Sequence, residues 1–267
     1  FGNKISSSAQ SSKMLNGGFV EFRDTKLRDA LKAKLVTQLD LDSANPITMG
    51  NYTLKGTSLN LNKVGISDLT GLQDLKAQYS LLGSIYLEYN DFTEIAGKLP
   101  NVAAHSIYQG TNGFPISLSN NPQLPTEEIY KMLNYGYKSG DKTATYSSVV
   151  ASLYLSNTGI TGNLDWLNNV DFTLLYEIGL SLNNITNVSA LGKIPTLTHI
   201  NLTSNTNLSD VVNVIGRDAN NPGAGFPLPN LVYYNLQSCN LSAASKEYLG
   251  VANRAINFPA TVTKLYY

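Results

Sequence analysis

The chain has 267 residues, of which 42% are hydrophobic, so it is long and apolar enough to form one large or two ordinary folded domains. Its 19 basic and 19 acidic residues cancel, and this balance gives no electrostatic reason to expect nucleic acid or an anionic membrane as a partner. A single cysteine excludes an intrachain disulfide framework, and no apolar run is long enough to span a bilayer as a helix.

The chain begins with a polar, serine-rich stretch, residues 1–18, which lacks the apolar core of a signal peptide. We interpret this stretch as a linker. The next segment, FRDTKLRDALKAKL, repeats apolar residues at Phe22, Leu27, Leu31 and Leu35. This spacing predicts an amphipathic helix with Asp24 as its N-cap.

From residue 59 the chain repeats one short pattern seven times: apolar, any residue, leucine, two variable residues, a small or Asn-like residue, and a final apolar residue. The copies are LNLNKVGI at 59, IYLEYNDF at 85, ISLSNNPQL at 116, LYLSNTGI at 153, IGLSLNNI at 178, INLTSNTNL at 200 and YNLQSCNL at 234. The period-two alternation predicts a short β-strand at the start of each copy. An eighth copy starts at Leu265 and is cut off, so we expect the sequence to be a fragment with a natural C-terminal continuation.

These segments resemble the leucine-rich repeat, whose pattern places Asn or Cys at one fixed position. The resemblance implies an α/β repeat fold, a curved right-handed solenoid with a parallel β-sheet on its concave side and short helices on an irregular convex side. It also implies a buried ladder of side chains that hydrogen-bond the backbone of the turns. The ladder positions hold Val64, Asn90, Asn121, Thr158, Asn183, Asn205 and Cys239. Cys239 is therefore interpreted as a buried, unreactive structural residue.

The stretch after the helix contains GISDLTGL, in which residues 66–72 resemble a linking phrase of bacterial internalin-like proteins. In that family a helical cap closes the first end of the solenoid. The resemblance implies such a cap over residues 19–55 and a solenoid over residues 56–267, with about seven repeats and a truncated eighth. Extracellular plant and animal leucine-rich proteins usually cap with cysteine pairs, which this chain lacks.

Insertions lengthen several copies. The stretch 126–137, with Thr126 as N-cap, and the stretch 242–255 predict helices on the outer side. Three segments rich in Gly, Pro, Asn and Ser precede strands and predict loops along one edge of the concave sheet: residues 105–115, 137–148 and 216–229.

The sequence contains no motif that predicts catalysis or a cofactor. GYKSGDKT at 136–143 lacks the ending of a phosphate-binding loop. His105 and His199 have no Cys or His partner at metal-ligand spacing, and the acidic turn at Asp40 and Asp42 does not match a calcium loop. We therefore expect no enzyme activity, no cofactor and no metal.

The outward positions of the predicted strands form three columns on the concave face. They hold hydroxyls, amides and tyrosines, with two carboxylates as the only formal charges among the seven copies. This mixture is typical of adaptable protein-binding surfaces. The candidate ligand-binding residues are Tyr86, Glu88, Tyr89, Ser117, Tyr154, Glu177, His199, Asn201, Tyr233 and Asn235.

The densest cluster of candidate anchors surrounds Tyr86 and Tyr154, which share a column with the small Ser117 between them. We expect a shallow pocket over Ser117, with Tyr108 and Tyr146 on loops beside it. The alternative is that these tyrosines stack mainly on one another and stiffen the sheet.

The leading functional hypothesis is a noncatalytic binding module of a bacterial cell-surface or secreted protein, extracellular and adhesin-like, with a protein ligand. One alternative is a glycan-binding module, in which tyrosine rings contact sugars and Asn and Ser bond the hydroxyls. The other is a structural spacer of a larger surface protein. Neither nucleic acid nor membrane insertion is expected.

Overall fold

The computed structural model describes residues 14–15, 18–37, 45–107 and 114–267. Most of the serine-rich stretch, the acidic turn at Asp40 and Asp42, and Tyr108 lie outside these residues, so the predictions made for them are not addressed by the structure.

The centre of the fold is an eight-stranded parallel sheet whose strands follow one another in chain order. The strands are β1 (Ser58–Asn60), β2 (Ser84–Tyr86), β3 (Phe114–Ser117), β4 (Val150–Tyr154), β5 (Glu177–Gly179), β6 (His199–Asn201), β7 (Tyr233–Asn235) and β8 (Lys264–Tyr266). Each strand pairs with the next copy, so the repeat prediction is confirmed for all seven copies and for the eighth.

Apolar side chains from every strand point into one continuous core. In the first seven copies, the first apolar residue and the leucine two positions later are buried because the strand alternates its faces, and Leu265 of the eighth copy is buried as well. The first residues of the copies are Leu59, Ile85, Ile116, Leu153, Ile178, Ile200, Tyr234 and Leu265. Stacking the copies therefore buries a hydrophobic face that no single copy could bury alone.

After each of the strands β1 to β7 the chain turns through a residue with a positive φ, which lies immediately before the ladder residue. These left-handed residues are Lys63, Tyr89, Asn120, Asn157, Leu182, Ser204 and Ser238. The backbone N–H of the first six donates to a carbonyl of the following copy, as Leu182 does to Thr203 at 2.9 Å. The strand pairing thus continues beyond the sheet into the turn.

The predicted side-chain ladder is present. Asn90, Asn121, Asn183 and Asn205 are buried, and each amide group donates to carbonyls of its own turn and of the preceding copy. Their side-chain oxygens accept from backbone N–H groups, as Asn121 Oδ1 does from Asn90 at 3.1 Å. The ladder therefore satisfies backbone groups that the turns leave buried.

Two ladder positions hold a residue other than Asn that still makes a hydrogen bond to the backbone, and these bonds are weaker than those of the Asn amides. Thr158 Oγ1 donates to Leu155 at 3.1 Å, and Cys239 Sγ donates to Leu202 at 3.2 Å. Cys239 is half-buried, so the prediction that it is buried holds only in part. Burial raises the pKa of its thiol, and a backbone hydrogen bond from Asn205 partly opposes this.

The first helix, α1 (Thr25–Lys32), lies against the start of the solenoid. Its Leu27 and Leu31 are fully buried in the common core. Asp24 caps it as predicted, accepting from the N–H groups of Lys26 and Leu27. The second oxygen of the same carboxylate accepts from the backbone N–H of Ser67 at 2.6 Å, which ties the helix to the first repeat.

Within the described residues, three more α-helices lie in the long insertions: α2 (Thr126–Asn134), α3 (Ala243–Leu249) and α4 (Val251–Asn257). The prediction of Thr126 as N-cap is wrong, because the cap is Pro125 and Thr126 is the first helical residue. The single predicted helix at 242–255 is two helices, separated at Gly250, and Ser242 caps the first.

Short elements complete the turns of the solenoid. Short 3-10 helices span Met49–Asn51, Leu72–Asp74, Gln78–Ser80, Tyr146–Ser148, Asp165–Asn169 and Ser189–Lys193. Small parallel pairs join Thr53–Leu54 to Lys76–Ala77, Leu81–Leu82 to Ser106–Ile107, Asn121–Pro125 to Thr158–Gly159, and Thr161–Asn163 to Asn184–Asn187. Met14–Leu15 pairs with Phe19–Val20 in antiparallel fashion. None of the helices within the described ranges is both long and apolar enough to cross a bilayer.

The predicted loop at 137–148 is instead a β-hairpin of Tyr137–Ser139 with Lys142–Ala144, followed by a 3-10 turn. Gly140 has a φ of 58°, which suits the tight turn. Tyr137 and Tyr146 are both fully buried and pack edge to face, so apolar burial orders the segment. The segment at 216–229 lacks helices and strands, as predicted.

Candidate functional site

The concave face consists of the outward side chains of β1–β8 and of the residue two positions after each strand. Strand register confirms the predicted columns, because Tyr86 pairs with Ser117, Ser117 with Tyr154 and Tyr154 with Gly179. The eighth strand adds Lys264 and Tyr266, which the seven-copy columns did not include.

In the first half of this face the candidate residues are held close to the sheet. Ser117 is fully buried and donates its hydroxyl hydrogen to Glu88 Oε1 at 2.5 Å. A ligand could therefore not reach Ser117 without displacing its neighbours. Tyr86 is half-buried, and Tyr89 is 52% exposed with the Lys63 ammonium 5.2 Å from its ring centroid.

The loop tyrosine expected beside this region faces the interior. Tyr146 is fully buried, and its hydroxyl donates to the carbonyl of Pro100 at 2.6 Å. The prediction that Tyr146 rises beside the sheet is wrong, because its ring fills the space under the hairpin. Tyr108 lies outside the described residues.

The second half of the face contains an open cavity of about 330 Å³. Gly179 explains its position, because the column has no side chain between Tyr154 on β4 and Asn201 on β6. The cavity is lined by Tyr154, Ser156, Glu177, Ile178, Gly179, His199, Asn201, Tyr233 and Lys264. The structure thus brings together five of the ten candidate residues, Tyr154, Glu177, His199, Asn201 and Tyr233.

Glu177 is the only carboxylate among the described residues that line this cavity. The hydroxyl of Tyr154 donates to its Oε2 at 3.0 Å. Burial first, and then the charge of Glu177, raise the pKa of Tyr154 to about 12, so Tyr154 stays a neutral donor at physiological pH. This hydrogen bond fixes the carboxylate, and no residue in the described part of the chain donates to its Oε1.

Aromatic rings form the far wall. The rings of His199 and Tyr233 stack with centroids 5.9 Å apart and planes at 17°, and Tyr266 meets Tyr233 edge to face at 5.8 Å. The His199 Nδ1 lies 2.8 Å from Thr198 Oγ1. Asn235 is buried and donates its amide hydrogen to the Tyr233 hydroxyl at 2.9 Å, which holds that ring upright.

The other histidine has a structural role. His105 is buried, and its Nε2 accepts from the backbone N–H of Ala77 at 3.0 Å. Since Nε2 accepts, Nδ1 carries the hydrogen and donates to the carbonyl of Asn101 at 2.8 Å. Burial lowers the pKa of His105, so the ring is neutral and spans two adjacent copies.

Comparison with protein-family models finds no match, and none of the curated proteins matches either. Among solved structures, the chain is similar to internalin C2 of Listeria monocytogenes, with 20% sequence identity, a TM-score of 0.53, and coverage of 93% of this chain and 97% of that one. An internalin, InlF, of the same organism aligns at 20% identity over 78% of this chain and 54% of its own, with a TM-score of 0.47. The leucine-rich repeat domain of the type III effector XopL aligns at 14% identity over 81% of this chain and 76% of its own, with a TM-score of 0.44.

The likeness to internalin C2 extends over nearly the full length of both chains, and it agrees with the repeats, the ladder and the parallel sheet. The chain therefore has the fold of an internalin-like leucine-rich repeat solenoid.

Proposed function

We propose that the chain is a noncatalytic binding module of a bacterial cell-surface or secreted protein, and that its concave face holds a protein ligand in an adhesin-like role. The observation that carries this proposal is the cavity over Gly179, where half-exposed aromatic rings converge with polar groups that have no partner among the described residues. Interfaces concentrate their binding energy in a few such residues, with Tyr prominent among them.

The surrounding hydrogen bonds support a recognition role because they fix the side chains before any ligand arrives. Tyr154 is held by Glu177, and Tyr233 by Asn235. A preorganised surface loses less side-chain entropy on binding than a mobile one. The shape and chemistry of the cavity thus favour binding over a purely structural spacer.

The test begins with capture of surface-labelled proteins from cultured cells by the immobilised chain, followed by purification of the captured protein and measurement of its affinity. Tyr154→Ala and Tyr233→Ala should each weaken binding at least tenfold, because truncating an aromatic anchor costs about 2 kcal/mol or more. Tyr86→Ala tests the first half of the face in the same assay.

Tyr79→Ala is the matched control, because Tyr79 is 87% exposed and does not line the cavity over Gly179. Affinity that is unchanged in both the Tyr154 and Tyr233 variants would place the site elsewhere. Selective binding to an array of defined glycans, with no protein captured, would favour the glycan alternative. No captured ligand of either kind would favour the spacer.

A further inference from the structure

The cavity over Gly179 has the dimensions of a receptor for one side chain. The residues on either side of Gly179 in its column, Tyr154 and Asn201, stand two strand spacings apart, about 9.6 Å. A Cβ added at Gly179 would lie 3.2 Å from Cδ1 of Tyr154, so any larger residue there would begin to fill the space. The cavity of about 330 Å³ has room for a planar side-chain group beside the Tyr154 ring.

Two polar groups at this position lack partners among the residues that the structure describes. Glu177 accepts a hydrogen bond at Oε2 alone, and its Oε1 accepts none. The side-chain oxygen of Asn201 accepts from the backbone and hydroxyl of Thr203, while its Nδ2 donates to no described residue. The cavity thus offers one strong acceptor and one neutral donor.

The formal charges on the concave face favour a cationic group as the binding partner of Glu177. The columns carry three formal charges, Glu88, Glu177 and Lys264. Glu88 is already engaged with Ser117. Lys264 also lines the cavity, but its Cα lies three strand spacings from that of Glu177 along their column, about 14 Å. Among the described residues, Glu177 forms no ion pair with Lys264 or with any other cation.

We propose that this cavity receives an arginine side chain of the protein partner, with the guanidinium bound to Glu177. This inference rests on the proposed function and specifies its ligand group. A guanidinium is planar, pairs with a carboxylate through two N–H groups and stacks on aromatic rings, which here are those of Tyr154 and His199. A backbone carbonyl of the same peptide satisfies Asn201 Nδ2, which a free cation would leave unpaired.

The probe is N-acetyl-L-arginine amide, and its matched control is N-acetyl-L-citrulline amide, which has the same shape without the charge. We expect the arginine compound to shift the backbone amide resonances of Glu177, Gly179 and His199 in an NMR titration, with millimolar affinity. The citrulline compound should bind at least tenfold more weakly. Glu177→Gln should reduce arginine binding at least tenfold, and Glu94→Gln, at an exposed carboxylate that does not line the cavity, should leave it unchanged.

Gly179→Ala distinguishes binding inside the cavity from nonspecific electrostatic attraction to the surface. The substitution leaves every charge in place but narrows the cavity. It should weaken arginine binding by a factor of about three or more while the fold, monitored by the same spectra, stays intact. Equal affinity for the two compounds, unchanged binding in Glu177→Gln, or tighter binding of methyl glycosides at the same resonances would overturn the inference. If the arginine probe fails while Tyr154→Ala still weakens a purified protein ligand, the inference is wrong and the proposed function stands.

Discussion

Replacing Asn121 by alanine tests whether the ladder stabilises the solenoid. Asn121 is fully buried, and its side chain makes hydrogen bonds to Asn90 N–H and to the carbonyls of Leu87, Leu118 and Ser119. Two of these carbonyls keep another donor in the variant, since Leu87 also accepts from Asn90 Nδ2 and Ser119 accepts from the Tyr89 N–H.

The Asn90 N–H and the Leu118 carbonyl would lose the only hydrogen-bond partner that the structure shows for them. An unpaired buried polar group costs about 1–3 kcal/mol, so with two such groups Asn121→Ala should lower the free energy of unfolding by about 2–6 kcal/mol. That is a large fraction of the stability of a typical domain, about 5–15 kcal/mol. The measurement is urea unfolding followed by circular dichroism, with wild type and variant at the same protein concentration.

Cys239→Ala is the matched control in the same ladder. The Leu202 carbonyl, which accepts from the thiol, also accepts from Asn205 Nδ2 at 2.8 Å. The backbone N–H of Asn205, which donates to the sulfur, also donates to the Leu202 carbonyl at 3.4 Å, so no backbone group is left unpaired. The loss should be under about 1 kcal/mol. If Asn121→Ala costs no more than Cys239→Ala, the argument from orphaned backbone groups is refuted.

Three further predictions concern titration and reactivity. The native thiol of Cys239 should react with a maleimide at pH 7 more slowly than a free thiol, because burial raises its pKa, and urea should restore the rate; rapid native labelling would contradict this. The pKa of Asp24 lies below its usual value because hydrogen bonds from Ser67 and Asp68 outweigh burial, so its contribution to stability is present above about pH 4 and is lost as the pH falls through the folded value. Asp24→Asn should reduce the fall in melting temperature at low pH, and an unchanged fall would contradict a stabilising role for the Asp24 cap. The pKa of His105 is lowered by burial, so its contribution is present above about pH 6.5 and declines below it, and His105→Gln should remove this slope between pH 7 and 5.

The strands and the ladder could be predicted because each is a local pattern repeated in series. The alternation that buries Leu59 also buries Ile178, and Asn121 and Asn183 meet the same backbone need in different copies. The cap of α1 could be predicted for a similar reason, since Asp24 bonds N–H groups two and three residues away.

The site was harder to predict because it depends on which side chains are missing or folded inward. Tyr146 looked like a loop anchor, and only its position under the hairpin shows that it is core. Ser117 looked like the floor of a pocket but is covered. The cavity arises instead at Gly179, which has no side chain to fill the space. The sequence shows that this position of the column holds glycine, but it does not show where the neighbouring rings lie.

The residues with a positive φ that follow the strands β1 to β7 are positions where the sequence of the concave rim can change during evolution. Seven residues of five types, from Lys63 to Ser238, adopt the same strained turn, and the backbone cost of about 1 kcal/mol is similar for most side chains other than Gly and Asn. Exchanging one such residue for another therefore changes the folding free energy little. These side chains lie along the rim of the concave face, and several are solvent-exposed, as Leu182 is at 57%. Substitutions along this rim can therefore change which partners the surface binds, one repeat at a time, while the solenoid stays folded.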